Sequence, residues 1–126
     1  MGMYTAFHFF ARLQENLPKD VVDILTFLIE GNTFLIPLTL SIPDHPFFKC
    51  ERWRFIADAD NSSFSCDTIT INGDLKNYDH EIQHFIDWIS KYIYRSEYYD
   101  RFAKRETKFA GYYLYEEDRE PTLIYV

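Results

Sequence analysis

Residues 3–13 read Met-Tyr-Thr-Ala-Phe-His-Phe-Phe-Ala-Arg-Leu, a run rich in aromatic and β-branched side chains. Such a composition is typical of a β-strand. The two alternating sets of side chains, one from Tyr4 to Phe10 and the other from Thr5 to Ala11, are both largely apolar. We therefore predict a central strand with both of its faces covered.

Helical and extended patterns alternate along the rest of the chain. Stretches with apolar residues at helical spacing follow predicted caps and end at glycine or charged residues, whereas the extended stretches are bounded by short polar turns. The predicted elements after the first strand are a helix between Asn16 and Gly31, strands over 52–57 and 65–75 joined by a polar tip at 58–63, a helix capped by Asn77 or Asp79, and strands over 109–116 and 121–125.

This order predicts an α+β protein of the ferredoxin-like βαββαβ type, with an antiparallel sheet, two helices on one face and an extra C-terminal strand. A length of 126 residues fits one domain, which we place over residues 1–126. The segment Thr33–Ile42 is apolar enough for a further strand, but its proline Pro37 restricts it to an edge or a short insert. The sequence leaves that question open.

Charge and composition narrow the classes of function. Thirteen basic and twenty acidic residues give a net charge of −7, which disfavours binding to nucleic acid or anionic membranes. No run approaches the roughly 18 apolar residues of a membrane span, and no secretory signal precedes the first strand. Cys50 and Cys66 are too few for a disulfide framework. We expect a cytoplasmic protein with reduced thiols and no cofactor.

The motif His80-Glu81-Ile82-Gln83-His84 matches His-Glu-x-x-His, in which two imidazoles one turn apart bind zinc and the glutamate activates water. On a helical wheel, however, His80, His84 and Asp87 share a sector opposite the apolar stripe. They are therefore predicted to face solvent, where a third ligand and a cleft are lacking. A metal site at His80, His84 and Asp87 remains the alternative interpretation.

The aromatic content is the main hint of function. Twelve Phe, ten Tyr and two Trp exceed what a core of this size hides comfortably, so some rings should lie at the surface. Tyr, Trp and Arg concentrate binding energy at protein interfaces. The predicted binding residues are Trp53, Arg54, Tyr112, Tyr113 and Tyr115. The competing interpretation is that most of the rings pack inside and only the tyrosine hydroxyls are wet.

A basic segment stands out against the acidic background. Residues 95–108 carry five basic and three acidic side chains, and aromatic residues lie among them. We interpret this segment as an amphipathic helix or a lid over the core. Tyr112, Tyr113 and Tyr115 could supply a surface on which bases stack, but residues 108–115 match the RNA-binding consensus poorly, so nucleic-acid binding is disfavoured.

Several short motifs resemble a group of small uncharacterised bacterial proteins, some of them carried on prophages or mobile elements. The motifs are Pro43-Asp-His-Pro-Phe47, Trp53-Arg-Phe55, Leu75-Lys-Asn-Tyr78, Phe85-Ile-Asp-Trp88, Gly111-Tyr-Tyr-Leu-Tyr-Glu-Glu117 and Glu120-Pro-Thr-Leu-Ile-Tyr125. The resemblance implies an intracellular accessory protein and no particular activity.

Together these observations predict a non-catalytic, cytoplasmic protein-binding or accessory module, of the kind that inhibits or decoys a host or phage protein. Two alternatives stay open. One is a small zinc-dependent hydrolase that uses His80, Glu81 and His84. The other is a structural homodimer, formed through the open face of the sheet or an edge strand.

Overall fold

The computed structural model describes residues 3–30, 36, 39–65, 67–94 and 108–126. These residues form a five-stranded antiparallel sheet, two α-helices and three short 3-10 turns. The elements are β1 (Thr5–Arg12), α1 (Lys19–Glu30), β2 (Ser63–Ser65), β3 (Thr68–Leu75), α2 (Glu81–Ser90), β4 (Phe109–Tyr115), β5 (Thr122–Tyr125) and the turns Pro46–Lys49, Trp53–Phe55 and Ala59–Asn61. The predicted α+β class is confirmed.

The sheet is ordered β2-β3-β1-β4-β5, and every neighbouring pair is antiparallel. β1 therefore lies at the centre, as predicted, with Phe9 opposite Ile71 of β3 on one side and Gly111 of β4 on the other. β5 extends the sheet beyond β4, which confirms the predicted extra C-terminal strand.

Within the described residues, only one face of β1 is covered. Thr5, Phe7 and Phe9 are buried, whereas Ala6 and Phe10 are exposed. α2 covers the buried face through Phe85, whose ring centroid lies 6.0 Å from that of Phe7 and 5.6 Å from that of Phe9. For the described residues, the prediction that both faces of β1 are covered is therefore wrong. Ala6 and Phe10 are apolar, but they lie on the face of the strand that stays exposed.

The core between the sheet and the helices is unusually aromatic. The 3-10 turn at Pro46–Lys49 inserts Phe47, whose ring centroid is 5.3 Å from Phe85 and 6.0 Å from Trp88. Phe48 lies 5.0 Å from Trp53 and 5.1 Å from Trp88. Edge-to-face contacts dominate this cluster, an arrangement that the quadrupoles of the rings favour.

Two of the predicted strand features are wrong. Residues 52–57 contain a 3-10 turn rather than a strand, since Trp53, Ile56 and Ala57 are buried at helical rather than alternating spacing. The tip of the hairpin also lies later than predicted, between β2 and β3, because the 58–63 segment is held against β3. There the backbone N–H of Asp58 donates to the carbonyl of Asn72 at 2.6 Å.

The N-cap residue of α2 is His80, so neither predicted cap, Asn77 or Asp79, occupies that position, although the side chain of Asn77 binds the first turn of the helix. Asn77 Oδ1 accepts a hydrogen bond from the backbone N–H of Ile82 at 2.9 Å. Asp79 instead accepts one from the N–H of Glu51 at 2.9 Å, so it anchors a neighbouring loop. His80, which follows Asp79, has a left-handed backbone, with φ 59°, which turns the chain into the helix.

Gly111 permits β4 to lie against β1. Its φ is +140°, and a Cβ atom at this position would lie 1.9 Å from the carbonyl oxygen of His8. The pairing of β4 with β5 shifts register between Phe109 and Gly111, which marks a β-bulge. A glycine is therefore required at the point where the central strand and the bulged strand meet.

Two predictions fall wholly or mainly outside the described residues. The first is the additional strand in Thr33–Ile42, of which Ile36 and residues 39–42 are described and form no strand. The second is the amphipathic segment 95–108, of which only Lys108 is described. Among the helices that are described, none has the length and apolar character needed to cross a membrane.

Candidate binding surface

The face of the sheet that no described helix covers carries a continuous group of apolar and aromatic side chains. We call this group the aromatic patch; it consists of His8, Phe10, Phe109, Tyr112, Leu123 and Tyr125. Five of these side chains are substantially exposed, with values of 42% for Phe10, 46% for Phe109, 38% for Tyr112, 51% for Leu123 and 54% for Tyr125. The patch spans the three strands β1, β4 and β5.

Ring contacts join the five members of the aromatic patch that carry rings. The centroid of His8 lies 5.8 Å from Phe10 and 5.6 Å from Tyr112. Phe109 lies 6.2 Å from Phe10 and 5.8 Å from Tyr125. Because these rings brace one another, little side-chain freedom remains to be lost when a partner covers them.

The imidazole of His8 is oriented by Asn72 of the adjacent strand. The Asn72 Nδ2 group donates to the carbonyl of Asn61 at 2.6 Å, so Asn72 Oδ1 faces His8 Nδ1, also at 2.6 Å. An amide oxygen only accepts, and His8 Nδ1 therefore carries the proton. In the neutral ring this leaves the lone pair of Nε2 as a hydrogen-bond acceptor within the aromatic patch.

The part of this face that β3 forms is polar. β3 contributes Thr70, Asn72 and Asp74, which lie opposite Phe10, His8 and Ala6 of β1. At the end of β1, the Arg12 guanidinium pairs with Asp67 at 2.8 Å. The hydrogen bond from Arg12 lowers the pKa of Asp67, so this pair stays ionised at neutral pH. The aromatic patch is thus bounded on one side by a hydrophilic strand.

The predicted binding residues do not form one site. Trp53 is only 6% exposed and packs in the core, 5.9 Å from Phe27, so we correct the expectation that its ring lies at the surface. Arg54 is partly buried in the same 3-10 turn. Tyr112 belongs to the aromatic patch, and Tyr113 and Tyr115 lie on the opposite face of β4.

Tyr113 and Tyr115 do meet each other at a small cavity. Its volume is about 200 Å³, and its lining includes Thr5, Tyr78 and His80. Burial, followed by the nearby charge of Glu117, raises the pKa of Tyr115, which therefore stays protonated at neutral pH. The cavity is smaller than the roughly 300 Å³ at which most small-molecule sites begin.

The glutamate and the two histidines of the His-Glu-x-x-His motif lie in different environments. Glu81 is fully buried, and its carboxylate accepts from the backbone N–H groups of Asp79 at 3.0 Å and Arg52 at 3.1 Å. His80 is exposed and His84 is partly exposed, while Asp87 accepts from Nε2 of His45 at 3.0 Å. Among the described residues no three His, Cys, Asp or Glu side chains cluster closely enough to hold a metal ion.

Cys50 is a free, buried thiol. Its Sγ lies 3.4 Å from the carbonyl oxygen of Pro46 and 3.5 Å from that of Asp79, within donating distance of both. Burial, together with the charges of Glu81 and Asp79, raises its pKa to about 11. An activated nucleophile needs the opposite shift, so Cys50 has the environment of a structural thiol. Cys66 lies outside the described residues.

Five members of the aromatic patch are absent from the sequence-based candidates, namely Phe10, His8, Phe109, Leu123 and Tyr125. The sequence does carry a signal for the patch residues of β1. The alternating set of Ala6, His8, Phe10 and Arg12 becomes polar at its end, whereas the set that contains Phe7 and Phe9 stays apolar. Such a difference between alternating sets indicates which face of a strand is solvated.

Comparisons with known proteins give no relative from which a role could be transferred. No protein-family model, no curated protein and no solved structure matches the chain.

Proposed function

We propose that this protein is a non-catalytic binding module that takes a protein partner on its aromatic patch. The observation that carries the proposal is the row of mutually packed, exposed rings on the uncovered face of the sheet. Aromatic side chains are enriched in the centres of protein interfaces, and exposed apolar patches of this kind mark binding sites.

The finer description of the fold forms part of this proposal. We assign the framework as a ferredoxin-like βαββαβ sandwich with β5 added at its edge. The strand order supports the assignment, since β3 lies between β1 and β2, and β1 lies between β3 and β4. That interleaving is the defining feature of two split βαβ units.

The chemistry of the partner follows from charge and hydrogen bonding. A net charge of −7 steers basic proteins towards this chain and repels nucleic acid. The lone pair of His8 Nε2 can accept a hydrogen bond from a lysine, an arginine or a backbone amide at the centre of the contact. We therefore propose a basic protein that presents an apolar segment, encountered in the cytoplasm.

The test compares two alanine variants that each remove one exposed aromatic side chain. Tyr112→Ala removes a ring from the aromatic patch, whereas Phe55→Ala removes one that is 46% exposed in the turn Trp53–Phe55, outside the patch. Proteins captured from the native cell by the wild type are purified and titrated by calorimetry. We expect Tyr112→Ala to weaken binding by about 30-fold, which corresponds to a hot spot of about 2 kcal/mol.

Phe55→Ala should bind as the wild type does, and circular dichroism should show that both variants are folded. Capture of the same proteins with the same affinity by Tyr112→Ala would contradict the proposal. Loss of binding in both variants would also contradict it, because the contact would not then be specific to the patch.

A further inference from the structure

The two edges of the sheet differ in the protection that they carry. β2, at one edge, has three residues, and two of them are serines. β5, at the other edge, is Thr-Leu-Ile-Tyr and has no charged residue and no proline. Natural edge strands usually carry such features to prevent pairing with another chain. β5 lacks them, although it lies beside the aromatic patch.

The backbone of β5 offers hydrogen-bonding groups on its outer side. Val126 and Lys108 exchange both backbone hydrogen bonds, at 2.8 Å and 2.9 Å, so the N–H and C=O of Val126 point towards β4. These groups alternate in direction along an antiparallel strand. The N–H and C=O of Tyr125 and Leu123 therefore point away from β4, and those of Ile124 point towards it.

We propose that β5 pairs antiparallel with β5 of a second copy of this chain, around a two-fold axis that passes between the two Ile124 residues. Leu123 of one copy then lies opposite Tyr125 of the other, and the outward backbone groups of both residues are paired. The arrangement is self-complementary, as a two-fold interface requires. An aliphatic side chain opposite an aromatic one is a favourable cross-strand pair.

The consequence is a continuous ten-stranded sheet in which two aromatic patches become one surface. This inference goes beyond the proposed function: it uses the outward backbone groups of β5, whereas the proposed function uses the side chains of the aromatic patch, to which Leu123 and Tyr125 also belong. Four residues per copy bury less than the roughly 800 Å² per partner of a standard stable interface. The dimer is therefore expected to be weak and to form in the micromolar range or above.

The test measures the mass of the purified protein by light scattering over micromolar to submillimolar concentrations. The mass should rise from 15.2 kDa towards twice that value. In the double variants L123E/Y125E and L123K/Y125K, like charges face each other across the axis, and each variant alone should remain monomeric. Their equimolar mixture places opposite charges face to face and should recover the dimer.

Both substituted side chains are more than half exposed, so the fold should tolerate the changes, and circular dichroism checks this. The control variant Phe55→Ala, in the turn Trp53–Phe55 and outside the aromatic patch, should dimerise as the wild type does. Amide exchange adds a second readout, since the N–H groups of Leu123 and Tyr125 should gain protection at high concentration while that of Ile124 is protected throughout.

A wild type that stays at 15.2 kDa would overturn the proposal, as would charged variants that dimerise like the wild type. Failure of the mixture to recover the dimer would overturn the register through Ile124. None of these outcomes depends on a captured partner, so failure here is distinguishable from failure of the proposed function.

Discussion

Substitution of Gly111 by alanine tests how the sheet is held together. Its φ of +140° is strongly disfavoured for any residue with a Cβ atom, at a cost of about 1–3 kcal/mol. The new Cβ would also lie 1.9 Å from the carbonyl oxygen of His8 and 3.0 Å from Cα of Phe9. Both neighbours are backbone atoms of the central strand, so no side-chain rotation relieves the clash.

β4 must then move away from β1, and each ladder hydrogen bond lost costs about 1 kcal/mol. Strain and lost pairing together give an expected destabilisation of about 3–5 kcal/mol. That is a large part of the roughly 5–15 kcal/mol that stabilises a typical domain. The same movement would displace Tyr112, which follows Gly111 directly in the aromatic patch.

Urea unfolding followed by circular dichroism gives the free energy of unfolding of Gly111→Ala and of the wild type. A matched control is Ala6→Gly, which changes one methyl group at an exposed position of β1 and should cost only about 0.5–1 kcal/mol. A loss below about 1 kcal/mol in Gly111→Ala would refute the reasoning, because the close approach of the two strands would then not constrain this position.

Two further predictions concern the loop that packs against the start of α2. Glu81→Gln keeps the size of the side chain but replaces one acceptor with a donor that faces a backbone N–H, so we expect a loss of about 1–3 kcal/mol in urea unfolding. The exposed Glu51→Gln serves as its control, and equal stabilities of the two variants would contradict the role of the buried carboxylate. Cys50, in a Cys66→Ser background, should be alkylated at pH 8 at least about 100-fold more slowly in the native than in the unfolded protein, since its pKa rises from 9.0 to about 11. Because the folded state holds this proton to higher pH, the free energy of unfolding should fall between about pH 9 and pH 11 relative to that of Cys50→Ala, and parallel pH profiles would count against the assignment.

Local pattern was sufficient to predict the elements that have strong periodicity. Strands β1, β4 and β5 lie within two residues of their predicted bounds, α1 lies between Asn16 and Gly31 as predicted, and α2 begins at Glu81, shortly after the predicted caps. Residues 52–57 were misassigned because a short apolar run with aromatic residues fits a strand or a tight turn equally well. The packing of Trp53 against Phe47 and Phe48 favours the turn over the strand, and this tertiary contact is not visible in the local sequence.

The candidate site was less predictable than the fold for a related reason. The tyrosines at 112, 113 and 115 are neighbours in sequence, but the pleat of β4 directs Tyr112 to the open face and the other two to the opposite side. The aromatic patch instead gathers residues from three strands that are distant in sequence. Only the strand order, which brings β1 beside β4 and β4 beside β5, places them together.

The burial of both indoles in one cluster decides which optical probes can report on this molecule. Trp53 and Trp88 each lie against Phe48, at 5.0 Å and 5.1 Å, and both are shielded from solvent. Their fluorescence emission will therefore follow the integrity of the core alone. A ligand seated over Phe10 and Tyr112 should leave that emission unchanged, so its arrival is better followed through the tyrosine signal or through a dye attached near the open face.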